Sequence, residues 1–178
     1  MQTKTNMKAS IGLPITAVLL ALALAGPSAA QTQVPFSGSV QGQEKDDLQG
    51  NPPQQVLVDG SLTGVATHLG RLTMTYKVTV NLNPQAGAVG SATGSGQLTA
   101  ANGDIIFTTV VGQGQPAPGP PGLNTIVEIH TITGGTGRFA GATGSFILKR
   151  LVDLSPLPAP APTSGSFKGT ITFPAAGN

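Results

Sequence analysis

The sequence predicts an all-β protein: a single antiparallel eight-stranded β-barrel, preceded by a signal peptide. Three observations carry this. Apolar and polar residues alternate with a period of two in RLTMTYKVTV (71–80) and in SFKGTITF (166–173), the mark of strands with one face in and one face out. Asn102-Gly103 stands between two apolar runs, and type I′ hairpin turns favour that dipeptide because both central residues need positive φ. Beyond residue 31 no segment sustains a helical period, while Thr, Gly and Val are abundant.

The elements follow in order. Lys4 and Lys8 precede an apolar run from Ile15 to Ala25, which Gly26-Pro27 closes, and Ser28 and Ala30 supply small residues at the −3 and −1 positions. That is the layout of a signal peptide cleaved after Ala30, with residues 31–178 as the barrel domain. The run is too short to span a bilayer, so no stable membrane anchor is expected. The expected location is therefore secreted or periplasmic. Cysteine is absent, so an exported domain of this composition must be held by burial and hydrogen bonding without disulfides.

Eight strands are predicted near 34–40, 54–67, 70–82, 90–100, 104–112, 124–133, 143–153 and 164–173. Open strand edges invite association, so eight such strands either close on themselves or pair as two sheets. Sequential hairpins without a long crossover favour the closed, up-and-down barrel. The tiny connections HLG and NG fall at one end of such a barrel. The longer loops 41–53, 113–123 and 154–163 fall together at the other, where they frame a mouth.

Charge narrows the partners. The net charge of +2 comes from Lys4 and Lys8 alone, because the seven Lys and Arg of residues 31–178 are matched by seven Asp and Glu. No basic face remains to displace phosphate counterions, which argues against nucleic acid.

TGGTGRFAGATG (133–144) poses the sharpest question. Gly135-x-Gly137-x-x-Ala140 fits a dinucleotide fingerprint, yet that chemistry needs a helix after the turn to face the pyrophosphate. The segment that follows, TGSFILKRLVDLSP, reads as a strand, so no cofactor is expected. Gly134, Gly135, Gly137, Gly141 and Gly144 instead suit a tight corner under a barrel end, with Phe139 as a plug and Arg138 reaching a carbonyl or carboxylate. GGTGRFAGATGSF also resembles the GGTGxFxxAxG stretch of dirigent proteins and the equivalent turn of allene oxide cyclases. The resemblance is specific over 134–146 and looser over 62–173. GVATHLGRLT and TAANGDIIFTT resemble signatures of small secreted relatives of that barrel, to which no chemistry attaches. What the resemblance implies is an eight-stranded antiparallel barrel with a lumen for small hydrophobic molecules. It carries over no catalytic residue.

Within a lumen, Met74, Tyr76 and Phe107 are the candidate ligand-binding residues, with Tyr76 offering a polar handle. Glu128 and His130, two apart on a strand, share a face and suit an acid–base pair, although carboxylates favour an outer, solvated position and the inward face is not fixed by the pattern. His68 lies at a turn, and no spacing of His68, His130 and a carboxylate supports a metal site. Glu44-Lys45-Asp46-Asp47 reads as a solvated loop at the mouth. Three functions follow. The first is an exported barrel that binds a small apolar molecule in its lumen. The second is a cyclase or stereochemistry-guiding, dirigent-like enzyme, and the third a structural protein with a filled barrel. An open or a filled lumen discriminates among them.

Overall fold

The computed structural model describes residues 31–83 and 89–174; the proposed signal peptide lies outside the described residues. Eight strands run β1 (Thr32–Gln49), β2 (Gln55–Ala66), β3 (Gly70–Asn83), β4 (Val89–Ala100), β5 (Ile105–Pro116), β6 (Leu123–Gly135), β7 (Thr143–Asp153) and β8 (Ala161–Phe173). Each pairs antiparallel with its neighbour in sequence, and β8 returns to β1, closing the barrel. Closure satisfies every edge, which suits a chain this rich in β-formers. Among the described residues no helix is long and apolar enough to cross a membrane.

The largest departure from the sequence reading is in β1. Residues 41–49 are not a loop but the second half of an 18-residue strand. β1 pairs with β8 through Thr32–Glu44 and with β2 through Gly38–Gln49, so its two halves serve partly different neighbours. Residues 113–116 and 161–163 are likewise strand, and the three long connections shrink to 50–54, 117–122 and 154–160. They do share one end: the Leu154 amide donates to the Gly122 carbonyl at 2.8 Å, and the Leu82 amide to Gln54 at 2.8 Å.

The lumen is filled at the opposite, short-turn end. Phe36, Phe146 and Phe167 form an aromatic cluster with ring centroids 4.8–5.4 Å apart, and Met74, Leu62, Leu98, Ile106 and Ile171 pack around it without solvent exposure beyond 1%. These rings fit because glycine faces them. Gly169 lies opposite both Phe36 and Phe146, and Gly38 lies opposite Phe167. Alternating large and small residues fills a small barrel without strain.

The glycine-rich connection covers this end. It holds a single 3₁₀ turn, Gly137–Phe139, whose Phe139 is fully buried in the core. Thr136 takes over the pairing of β5, its amide donating to the Ile105 carbonyl at 2.8 Å and its hydroxyl accepting from the Ile105 amide at 2.9 Å. Arg138 lies 3.7 Å from the Asp104 carboxylate and stacks on Phe139 at 4.8 Å. Two constraints demand glycine here. A Cβ on Gly135 would collide with the Ile105 carbonyl, and Gly137 sits at φ +54° against the Asp104 carboxylate. The Gly137→Val variant should lose about 1–3 kcal/mol, since a β-branched residue tolerates neither that backbone nor that neighbour. Thermal melts of the two proteins check this: an unchanged midpoint would remove the structural role of the corner.

Candidate functional site

Above the aromatic cluster the lumen changes character. Arg150 on β7 points inward and is 4% exposed. Its Nε and Nη2 donate to the two oxygens of Glu128 on β6, both at 3.0 Å, a bidentate pair. Its Nη1 donates to Glu44 on β1 and, at 3.2 Å, to the Thr163 hydroxyl on β8. The Tyr76 hydroxyl on β3 donates to the same Glu44 oxygen at 2.5 Å, and its ring lies 4.8 Å from the guanidinium carbon. Five of the eight strands thus meet at one buried cation.

The register makes room for it. Gly60 faces Tyr76, Gly112 faces Glu128 and Gly165 faces Arg150. A Cβ on Gly60 would stand 2.0 Å from the Tyr76 ring. Those on Gly112 and Gly165 would stand 2.7 Å and 2.6 Å from the side chains opposite. Each large polar side chain therefore leans across a glycine toward the barrel axis.

Glu128 and His130 both point inward, each 1% exposed, in place of the outer, solvated position that carboxylates favour. The physical reason is Arg150, which lies in register with Ile126 on the adjoining strand and supplies the compensation a buried carboxylate needs. His130 stacks on Phe146 at 4.6 Å, and its Nδ1 lies 3.1 Å from the Thr108 hydroxyl, which itself donates to the Gly96 carbonyl. That arrangement makes Nδ1 the donor to Thr108. Nε2 is buried without a hydrogen-bond partner, 3.8 Å from Glu128.

Above this floor lies a cavity of about 110 Å³, open toward the turns 50–54, 117–122 and 154–160. Its walls are apolar, with Val56, Val58, Val78, Val80, Ala92 and Ile126 among them, and its polar groups are Glu44, Asp46, Asn124, Glu128 and Arg150. Asp46 lies one inward step nearer the mouth than Glu44, in register with Val58. Its Oδ1 is buried and has no hydrogen-bond partner among the described residues.

Of the residues singled out from sequence, Tyr76 is part of the floor. Met74 belongs to the filled core and does not line the cavity. Phe107 is corrected more sharply: it lies between the buried Ile106 and Thr108, so strand alternation turns it to the outer face. Glu44 and Asp46, read as a solvated loop, are strand residues that face the lumen, and Arg150 had no role in the sequence reading. His68 is exposed at its turn, with Nε2 3.0 Å from the Pro35 carbonyl, whereas His130 is buried against Phe146. Among the described residues no group of three or more His, Asp or Glu is placed to hold a metal ion.

Burial and this geometry set the charges. Burial pushes the Glu128 carboxyl up, but His130 and the Arg150 guanidinium outweigh it and hold it at about 2. Burial, reinforced by the charge of Glu44 and only partly offset by Arg150, pushes Asp46 up to about 6. Burial likewise drives the Tyr76 hydroxyl well above its ordinary range, so it remains a donor.

No family model and no curated protein matches the chain. Among solved structures it is similar to a pterocarpan synthase dirigent protein, with 9% identity and a TM-score of 0.49 over 95% of this chain and 99% of that one.

Two substitutions should move stability in opposite directions. Arg150→Met leaves two buried carboxylates without their cation and should cost about 3–5 kcal/mol, read as a lower denaturant midpoint. Asp46→Asn should stabilise. Between pH 3.8 and about 6 the folded protein holds a proton on Asp46 that the unfolded chain has released, so stability falls as pH rises through that window. With solvent screening of this half-exposed group allowed for, the gain should be on the order of 1 kcal/mol, or about 3 °C. It should be present at pH 7.5 and absent at pH 3.5. A variant that melts below the parent at pH 7.5 would refute the reading of Asp46.

Proposed function

We propose that the protein is an exported barrel that binds a small, largely apolar molecule in the open half of its lumen. One observation carries the proposal: the barrel is packed solid at one end and hollow at the other, and the hollow part is apolar-walled with convergent polar groups at its base. Ligand pockets have that composition, apolar surface for affinity and a few fixed polar groups for orientation. A purely structural barrel has no use for a cavity, because unfilled volume costs packing energy. Access is from the side of the turns 50–54, 117–122 and 154–160, since Leu69, Phe139 and Ala142 are buried beneath the other end. The export part of the proposal rests on the pattern of residues 1–30 alone.

A catalytic version of this reading, a cyclase or a guide of stereochemistry, is favoured by one further feature. Asp46, a carboxyl group raised to about 6 and facing the cavity, is poised for proton transfer near neutral pH.

Ala92 is the position to test. It is inward, 5% exposed and lines the cavity, so Ala92→Phe should fill the space from the wall. Native mass spectrometry of the protein purified from its own source should show a retained small molecule. In the variant that mass should be lost while the β-type circular dichroism persists. A source-purified protein that carries no small molecule, or a variant that keeps it, would count against the lumen as the binding site.

A further inference from the structure

The charges around the cavity do not balance. Arg150 is the one Lys or Arg among its lining residues, against Glu44, Glu128 and Asp46. Arg150 spends its donors on the two glutamates and Thr163. Among the described residues no Lys or Arg pairs with Asp46, whose Oδ1 is shielded from solvent and accepts no hydrogen bond. His130 lies on the packed side of Glu128, its Nε2 3.8 Å from that carboxylate. Asp46 lies on the mouth side of Glu44, in register with Val58, and no side-chain ion pair reaches it among the described residues.

A half-buried carboxylate whose shielded oxygen has no partner is a cost that the fold itself does not need. Replacing it by a neutral isostere should stabilise the protein, so its place is better explained by something that enters the cavity. What answers an unpaired acceptor in an apolar chamber is a compact donor that carries positive charge. Arg150 cannot serve, being fixed at the base by its own partners.

Resting on the lumen-binding reading above, we infer that the ligand is an amine: a small apolar body bearing one ammonium group, which hydrogen-bonds to Asp46 and offsets the excess negative charge of the cavity. The apolar body lies against Val56, Val58, Val78 and Val80. A carboxylate ligand of the same shape is repelled, and an alcohol satisfies the acceptor without balancing the charge. The enclosed volume sets the scale. A cavity of roughly 150 Å³ holds a benzene ring, so one of 110 Å³ that is open at the mouth takes a group of about one ring.

Benzylamine, benzyl alcohol and benzoate, which share a ring and differ in the polar group, provide the test by titration calorimetry on the mature protein at pH 7.5. Benzylamine should bind at least tenfold more tightly than benzyl alcohol, and benzoate most weakly. Asp46→Asn, which is expected to fold at least as stably as the parent, should bring the amine and alcohol affinities within threefold of one another. Alcohol bound as well as or better than the amine, or an amine preference that survives Asp46→Asn, would overturn the assignment of the amine while leaving lumen binding in place. Failure of all three to bind would overturn both.

Discussion

The structure depends on the burial of one guanidinium. A charge placed in a barrel interior must be neutralised and hydrogen-bonded there, and Arg150 meets that demand by drawing Glu44, Glu128, Tyr76 and Thr163 from four other strands to one level. The consequences run outward from that level. The strands must be in a register that brings these groups together, and glycine must face three of the large side chains so that they can lean to the axis. The lumen is thereby divided. Below the guanidinium, aromatic and aliphatic side chains interlock; above it Val, Ala, Ile and Leu side chains surround the cavity.

This division separates the packed half, which stabilises the fold, from the half that holds the cavity. The lower half buries Phe36, Phe146, Phe167 and Phe139 with their aliphatic neighbours, and apolar burial on that scale is the main favourable term in folding. The upper half can therefore keep features that oppose folding, a cavity and an unpaired carboxylate, without unfolding the barrel. The floor between them is rigid for a simple reason. Arg150 is held through both sides of its planar fork, so the base of the cavity is a surface whose geometry is already set.

Much of the fold was legible because most strands obey the ordinary rule. In β3 the inward set is Leu72, Met74, Tyr76 and Val78, apolar residues apart from one hydroxyl, and alternation reveals it at once. The short turn at 101–104 was legible too, from the Asn102-Gly103 dipeptide. β1 and β6 hid themselves by inverting the rule. In β1 the inward positions Gly42, Glu44 and Asp46 keep the period of two but carry no hydrophobic signal, so the segment reads as a charged loop. In β6 the polar Glu128 and His130 face in while Val127 and Ile129 face out, 38% and 51% exposed. Nothing local distinguishes that strand from one facing the other way.

What was missing from the sequence was the partner across the sheet. Whether a carboxylate at position 128 is inside depends on whether a cation reaches it, and that cation is 22 residues away, on a strand whose own pattern, LKRLVD, offers Lys149 and Arg150 equally. One residue of register decides which of the two enters the barrel. Phe146 and Leu148 settle the matter, because they occupy the inward positions of β7 and Arg150 falls next in that series while Lys149 falls outside. Apolar residues thus choose the face, the face chooses the arginine, and the arginine makes inward carboxylates affordable in β1 and β6. Sites of this kind sit where local patterning and tertiary compensation disagree. A polar residue that breaks the period-two rule in a barrel strand is worth pairing, in trial registers, with every basic residue that apolar neighbours would carry inward.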